Sequence, residues 1–297
     1  MSRIHLAAAA FTLIAAALTA PAQAQAPTPP PFATTKIEGT DGVYLFRFGG
    51  AQAMFIVTPD GVIATDPIGY LRPQAVQTYI AEIRKITQAP IRYVVYSHHH
   101  FDHIAGGKPF KDLGATFVGH ARGKAQLLRV KNPDVVIPDL TVGDSGGTLQ
   151  VGGTTLNLVY VGRNHTDNML VMQLPKEKLI FTVDFIPIQG VFFRNLPDGY
   201  PLELESSLEK VLAMDWDRML TGHPGPGGRL GTKDDVRNTL GYVRDLSAAV
   251  KTAADEGKCF DNAMKEVKLP KYESWGNYNV YFPMNVERYC MLWGRGG

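Results

Sequence analysis

Cysteine is almost missing from this sequence: Cys259 and Cys290 are the two among 297 residues, and both fall in the last quarter. So few thiols exclude a disulfide-knit small domain and a zinc module built on paired cysteines. They leave room for a single disulfide, Cys259–Cys290, if the chain reaches an oxidising compartment. Excess charge of either sign is missing too. Lys and Arg number 30 against 28 Asp and Glu, a net charge of +2. That balance gives no electrostatic footing for nucleic acid or for an anionic membrane surface, so the expected partner is a small molecule. After the first twenty residues no apolar run is long enough to cross a bilayer, which needs about 20 residues. No integral membrane segment is therefore expected in the mature chain, and no internal repeat is visible at a solenoid period.

What is present begins with a leader. Arg3 supplies a positive start, Leu6 to Ala20 form a short apolar run, and Ala22-Gln23-Ala24 has the small-x-small pattern of a cleavage site. Residues 1–24 read as a signal peptide, which implies a periplasmic or secreted protein. Pro27, Pro29, Pro30 and Pro31 then favour extended, unpaired backbone, so residues 25–35 read as a tether. The domain is expected over 36–297, with a C-terminal extension from about 232. At that length, with 45% hydrophobic and 20% charged residues, one large core is available.

Strands are expected at 43–48 and 53–57, flanking a hairpin tip Gly49 to Gln52 that could act as a flap. Further strands fit 62–65, 92–96, 115–119, 154–161, 168–174 and 178–183. Apolar spacing predicts helices over 71–87, 121–130, 204–212 and 232–254. Strand-rich halves separated by helices suggest a layered α/β architecture with a mixed sheet pair.

The histidines carry the chemistry. Seven follow the leader, and four of them lie within His98-His99-His100-Phe101-Asp102-His103, directly after a strand. A solvated histidine tract is a poor account of a cluster in mid-sequence beside a buried strand. In extended backbone, side chains two apart share a face, so His98 and His100 can converge on one ion while Asp102 and His103, past a turn, face another. His165, Asp184 and His223 each follow a strand, where sites on layered α/β folds are assembled. Any one of these alone is more often structural than a ligand; together with the cluster they point to metal. His99 points away from its neighbours and reads as a surface or outer residue, and His120, preceding a helix, reads as structural.

His98-x-His100-x-Asp102-His103, followed by His165, Asp184 and His223, resembles the metallo-β-lactamase superfamily, and Asp66 at an early strand end is similar to that family's first motif. The resemblance runs over roughly residues 36 to 225. It implies an α/β fold, a four-layer αββα sandwich with the metals at one edge, here carrying a C-terminal helical extension. It also implies that His98, His100 and His165 hold a first metal, that Asp102, His103 and His223 hold a second, and that Asp184 bridges them. Asp66 would fix a ligand histidine by a hydrogen bond. The donor set suits two Zn²⁺, with iron or manganese as alternatives.

Class B1 lactamases carry cysteine where this chain has Asp184, so the pattern is closer to the glyoxalase II and lactonase branch. Flavodiiron proteins need Glu where His100 stands. Arg163-Asn164 replaces the commoner Pro-Gly before His165, and the long insertion of RNA-processing nucleases is missing.

The function implied is exported, binuclear, metal-dependent hydrolysis, a metal-bridging hydroxide attacking an ester, lactone, thioester or lactam. Asp102 is placed to take the proton of the water. Phe192, Phe193, Arg194 and Tyr200, after Asp184, are expected to contact substrate, with Trp275, Tyr278 and Tyr281 packing nearby. Two alternatives stand beside this reading: a mononuclear iron-dependent oxygenase of thiol compounds, and a periplasmic metal-binding accessory protein.

Overall fold

A strand begins inside the stretch expected to be a tether. This computed structural model describes residues 30–297; the expected signal peptide and residues 25–29 lie outside the described residues. Strand β1 (Phe32–Lys36) pairs antiparallel with β2 (Val43–Phe48), with Thr34 opposite Phe46. The proline run stops at Pro31, so every residue of β1 has an amide to donate and β-forming side chains follow.

The hairpin partner β3 (Ala51–Thr58) and β4 (Gly61–Thr65) extend the sheet, and α1 (Pro73–Ile86) crosses over to β5 (Ile91–Val95). Two short helices, α2 (Phe101–Ile104) and α3 (Lys108–Asp112), precede β6 (Thr116–His120), and α4 (Ala121–Val130) leads to β7 (Leu140–Val142). These strands form a seven-stranded sheet in chain order, antiparallel from β1 to β4 and parallel from β4 to β7. The second sheet holds β8 (Gly147–Val151), β9 (Thr154–Tyr160), β10 (Leu170–Leu174) and β11 (Leu179–Phe181), followed after α5 (Pro201–Ala213) by β12 (Arg218–Leu220). Its order is β12-β11-β10-β9-β8, and β11 and β12 are parallel. The chain ends with α6 (Lys233–Asp255), α7 (Ala263–Glu266) and α8 (Tyr278–Arg295).

Alternation along single strands sorts the layers. On β3, Ala53 and Phe55 face α1, joining Tyr79 and Ile83, while Met54 and Ile56 face Leu156, Leu158 and Met172 of the other sheet. On the outer side of that sheet, Leu204, Leu208 and Val211 of α5 and Val236 and Val243 of α6 close the core. The order is thus helix, sheet, sheet, helix: an αββα sandwich within the compact unit Pro31–Gly297. Helix α6 starts on a capping box in which Thr232 and Asp235 exchange hydrogen bonds. A disulfide joins Cys259 to Cys290 of α8. Among the described residues no helix is long and apolar enough to cross a membrane.

Parallel pairing has a positional consequence. Thr65 pairs Val95, and Phe181 pairs Leu220, so β4, β5, β11 and β12 release their chains at the same ends within each sheet. The end of β9 meets the start of β10, with Tyr160 opposite Leu170. Leu170 N donates to Ser97 O at 2.8 Å, stitching the two sheets together at this edge.

Candidate metal centre

Along that edge the structure gathers two sets of donors. His98, His100, His165 and Asp184 each offer one atom within 4.8 Å of the others, and so do Asp102, His103, Asp184 and His223. Asp184 belongs to both. Its Oδ2 lies 3.0 Å from His103 Nε2, 3.7 Å from His165 Nε2 and 3.9 Å from His98 Nε2, and its Oδ1 lies 3.4 Å from His223 Nε2. Asp102 Oδ2 stands 3.4 Å from His103 Nε2 and 3.5 Å from His223 Nε2. Donors about 2.0–2.1 Å from a tetrahedral ion stand about 3.3–3.4 Å apart, so these spacings suit cations.

One atom tests the fit. His98 Nε2 is buried, has no hydrogen-bond partner, and belongs to the first donor set. An unpaired buried nitrogen costs stability, and a cation is the partner that its neighbours, all electron-pair donors, are built to share. His165 Nε2 and His100 Nδ1 lie 3.0 Å apart, within the first donor set.

Local backbone explains how the side chains arrive. Val183, just before Asp184, has a φ of 51°, a strained value for a β-branched residue that marks a constrained turn. Gly222 N donates to Val183 O at 2.9 Å. A Cβ on Gly222 would come within 2.5 Å of Val183 Cγ1 and 2.7 Å of His103 Cε1, so only glycine lets the two strand ends approach this closely. After β5 the backbone bends through 97–99 rather than continuing as strand, yet the His98 and His100 rings meet at 4.5 Å.

Two expected roles change. Asp66 is fully buried, but its Oδ1 accepts from the Ser97 amide at 2.9 Å and not from a ligand histidine. The Thr65–Val95 register places that amide first in reach; Ser97 Oγ is the group that meets a ligand ring, 2.9 Å from His98 Nδ1. The hairpin tip is a strap rather than a flap. Ala51 and Gln52 belong to β3 and are buried. Gln52 N donates to Gly222 O at 2.7 Å, Gln52 Nε2 donates to Thr221 O at 2.9 Å, and His223 Nδ1 meets Gly50 O at 2.6 Å. A carbonyl only accepts, so His223 Nδ1 carries hydrogen and Nε2 is left free to face Asp102 and Asp184.

The expected substrate residues separate. Phe192 is buried against Tyr242 and is core, a consequence of the loop turning inward there. Phe193 is 55% exposed, edge-on to Tyr281 at 5.3 Å, with the Arg194 guanidinium 5.4 Å from its ring centre. Tyr200 precedes α5 under the Arg163 guanidinium. Trp275 and Tyr278 pack into the C-terminal core. His120 caps α4 through a bond from Arg122 N. Asp198 and Asn168 carried no signal in the sequence. Asp198 Oδ1 accepts from His100 Nε2 at 2.9 Å, and Asn168 Nδ2 donates to His99 Nδ1 at 2.7 Å.

Electrostatics divide the two donor sets. Burial pushes His98 well below the usual imidazole range and His165 down to about 4. Burial also opposes the cations of His103 and His223, but Asp184 overcomes it and raises both. Asp184 is held well below the usual carboxylate range; burial works against this, and His103 and His223 outweigh it. The sign follows: near pH 7 His98 and His165 bind a cation without losing protons, whereas His223, raised to about 11, must release one, and the upward shift of His103 adds to that release. Calorimetric zinc titration in buffers of different ionisation heat should show about one or two protons released on filling the Asp102–His103–His223 side. Its affinity should rise with pH through neutrality. Proton-free binding of both equivalents would contradict this division.

Fold and site together define an αββα protein with two His and Asp donor sets, each able to hold a metal ion, at the sheet edge. The chain belongs to the metallo-β-lactamase superfamily: residues 47–223 match the family model described as Metallo-beta-lactamase superfamily. It is similar to the 2,4-dinitroanisole O-demethylase subunit alpha of Nocardioides sp. (strain JS1661), 25% identical over 187 residues, 62% of this chain and 53% of that protein. It is also similar to the hydroxyacylglutathione hydrolase of Brucella ovis, 29% identical over 165 residues, 55% of this chain and 57% of that protein. The chain thus spans about half the length of the curated relatives it matches. Among solved structures, a metallo-beta-lactamase from Pontibacter korlensis aligns with a TM-score of 0.59 at 19% identity, covering 72% of this chain and 99% of that one. That likeness speaks for the fold.

Proposed function

We propose that this protein is an exported hydrolase with two metal ions, acting on an ester, lactone, thioester or lactam bond of a small molecule. The observation that carries the reading is Asp184, one carboxylate shared by two four-donor sets. His98, His100 and His165 would hold one cation, Asp102, His103 and His223 the other, with zinc the best match to imidazole and carboxylate donors. Bound there, the cations would acidify water and polarise the scissile group's oxygen.

The chain's own residues do the rest. Asp102 keeps about a third of its side chain open to solvent. Burial would raise its carboxyl, but His223 and His103 hold it low, so it stands ionised with a lone pair available to the attacking water's proton. The strap at Gly50 and the Gln52 contacts fix His223 on one side. Exposed Phe193 and half-buried Tyr281 meet edge-on and offer an apolar ledge suited to the carbon skeleton of a substrate. The Brucella relative, a hydrolase by name, supports the reaction class. The Cys259–Cys290 bond favours an oxidising compartment and with it the cleavable leader.

The test is one preparation. The full chain is expressed with its leader and the periplasmic protein purified, then its intact mass, metal content and hydrolysis of lactone, ester, thioester and β-lactam panels are measured. Expected are an N-terminus at Gln25, two zinc ions per chain and turnover of at least one panel. One iron per chain with oxygen consumption, or binding to a partner enzyme with no turnover, would replace this reading by another.

A further inference from the structure

We infer that Asp198, steadied by His99 and Asn168, is a positioning residue that decides which nitrogen of His100 carries the proton. The inference rests on the metal-site reading above and adds residues outside it. A carboxylate accepts hydrogen and does not donate it when ionised. With His100 Nε2 2.9 Å from Asp198 Oδ1, the ring's hydrogen belongs on Nε2. Nδ1 then keeps its lone pair, and Nδ1 is the atom that stands 3.0 Å from His165 Nε2 in the first donor set. Without Asp198 nothing in that contact favours this tautomer, and a proton on Nδ1 would point at the cation.

The same accounting settles His99. Asn168 Nδ2 lies 2.7 Å from His99 Nδ1 and 2.7 Å from Asp167 Oδ1. Asp167 can only accept, so the amide nitrogen faces both, and His99 Nδ1 is an acceptor. Its hydrogen sits on Nε2, 3.3 Å from Asp198 Oδ2. Two N–H groups therefore converge on one carboxylate. His99, His100 and Asp198 have donor atoms close enough to suggest a third cation site, but both rings present hydrogen, not lone pairs, to Asp198. The trio is an outer clamp.

Asp198 is itself held from behind. Its neighbour Gly199 accepts from Arg288 Nη2 of α8 at 3.0 Å, and the buried Asn285 donates to Phe192 O at 3.0 Å in the same loop. Asn285 Oδ1 takes the Tyr242 hydroxyl at 2.7 Å. On the far side, Tyr200 N donates to Asn164 O at 2.7 Å, beside His165. The C-terminal extension thus presses the clamp onto the centre.

The experiment compares wild type, Asp198→Ala, Asp198→Asn, His99→Phe and His100→Ala. Zinc affinity is read by chelator competition, metal-free thermal unfolding by dichroism, and His100 tautomer by nitrogen-15 NMR. Asp198→Ala should weaken zinc binding by the His98–His100–His165 set by about 10–100-fold, shift His100 from its Nε2–H form, and leave metal-free unfolding in place. Asp198→Asn should fall between, since its oxygen still receives one N–H while its NH₂ opposes the other; its isosteric shape keeps the test open if the alanine variant does not fold. His99→Phe should cost a few-fold. Unchanged affinity and tautomer in Asp198→Ala would overturn the clamp while leaving the metal site intact, provided His100→Ala loses zinc. A third zinc equivalent in wild type, lost with Asp198 or His99, would also overturn it by making the trio ligands. Full zinc binding by His100→Ala would instead reject the metal site from which the clamp derives.

Discussion

On the proposed function, Asp184→Ala is expected to lower hydrolysis by at least about 10³-fold, because the water acidification that two bound cations would supply is lost with them. Bound metal should fall on both sides of the centre. The reason is geometric: Asp184 Oδ2 approaches His98, His165 and His103, while Oδ1 approaches His223. Deleting this carboxylate removes a donor from each set and the negative charge that lets two cations sit close together. His100→Ala should also abolish turnover, yet it strips only the first set, so metal retained by the Asp102–His103–His223 side separates the two variants. Metal analysis and kcat/KM measured on the same preparations check this. Near-wild-type turnover by Asp184→Ala would remove the basis for a shared ligand.

The second large effect is on stability. Replacing Cys259 and Cys290 together by alanine, or reducing their bond, should cost about 3–4 kcal/mol, the chain-entropy value for a loop of this size; the bond spans 31 residues. Urea unfolding with and without reductant measures it. A midpoint that does not move once both thiols titrate as free would show that the crosslink contributes nothing. Cys290 lies on α8, the helix that also carries Asn285 and Arg288, so the crosslink tethers the element that holds the 185–200 loop.

Much of the centre was legible in the sequence because its chemistry is written in residue type. Four histidines within six positions have few other uses, and His165 and Asp184 follow apolar runs long enough to be recognised as strands, while His223 follows the short apolar pair Met219-Leu220. Asp198 was not legible. It follows no strand, and its partners His99 and His100 are about a hundred positions earlier, so only tertiary structure pairs them. Short or atypical elements also escaped: β7 and β12 have three residues each, too few to show alternation. Helix α8 was missed because Pro283 and many aromatics interrupt an apolar period that tertiary packing still satisfies. The tether is shorter than the proline spacing implies because the five residues after Pro31 carry amides and pair with β2. The flap reading failed because glycines in a hairpin signal a turn without showing whether the turn is tied down. Phe192 and Phe193 are chemically identical neighbours, and only the path of the backbone buries one and exposes the other.

The tie at Gly50 has a consequence for comparing proteins of this architecture. What Gly50 gives His223 is a main-chain oxygen, a group that every amino acid possesses. Its contribution is therefore invisible to any catalogue of side chains: the turn's length and path, not its spelling, carry the information. A relative with a different residue at this position but the same two-residue turn would preserve the arrangement, whereas one with an identical glycine in a longer excursion would not.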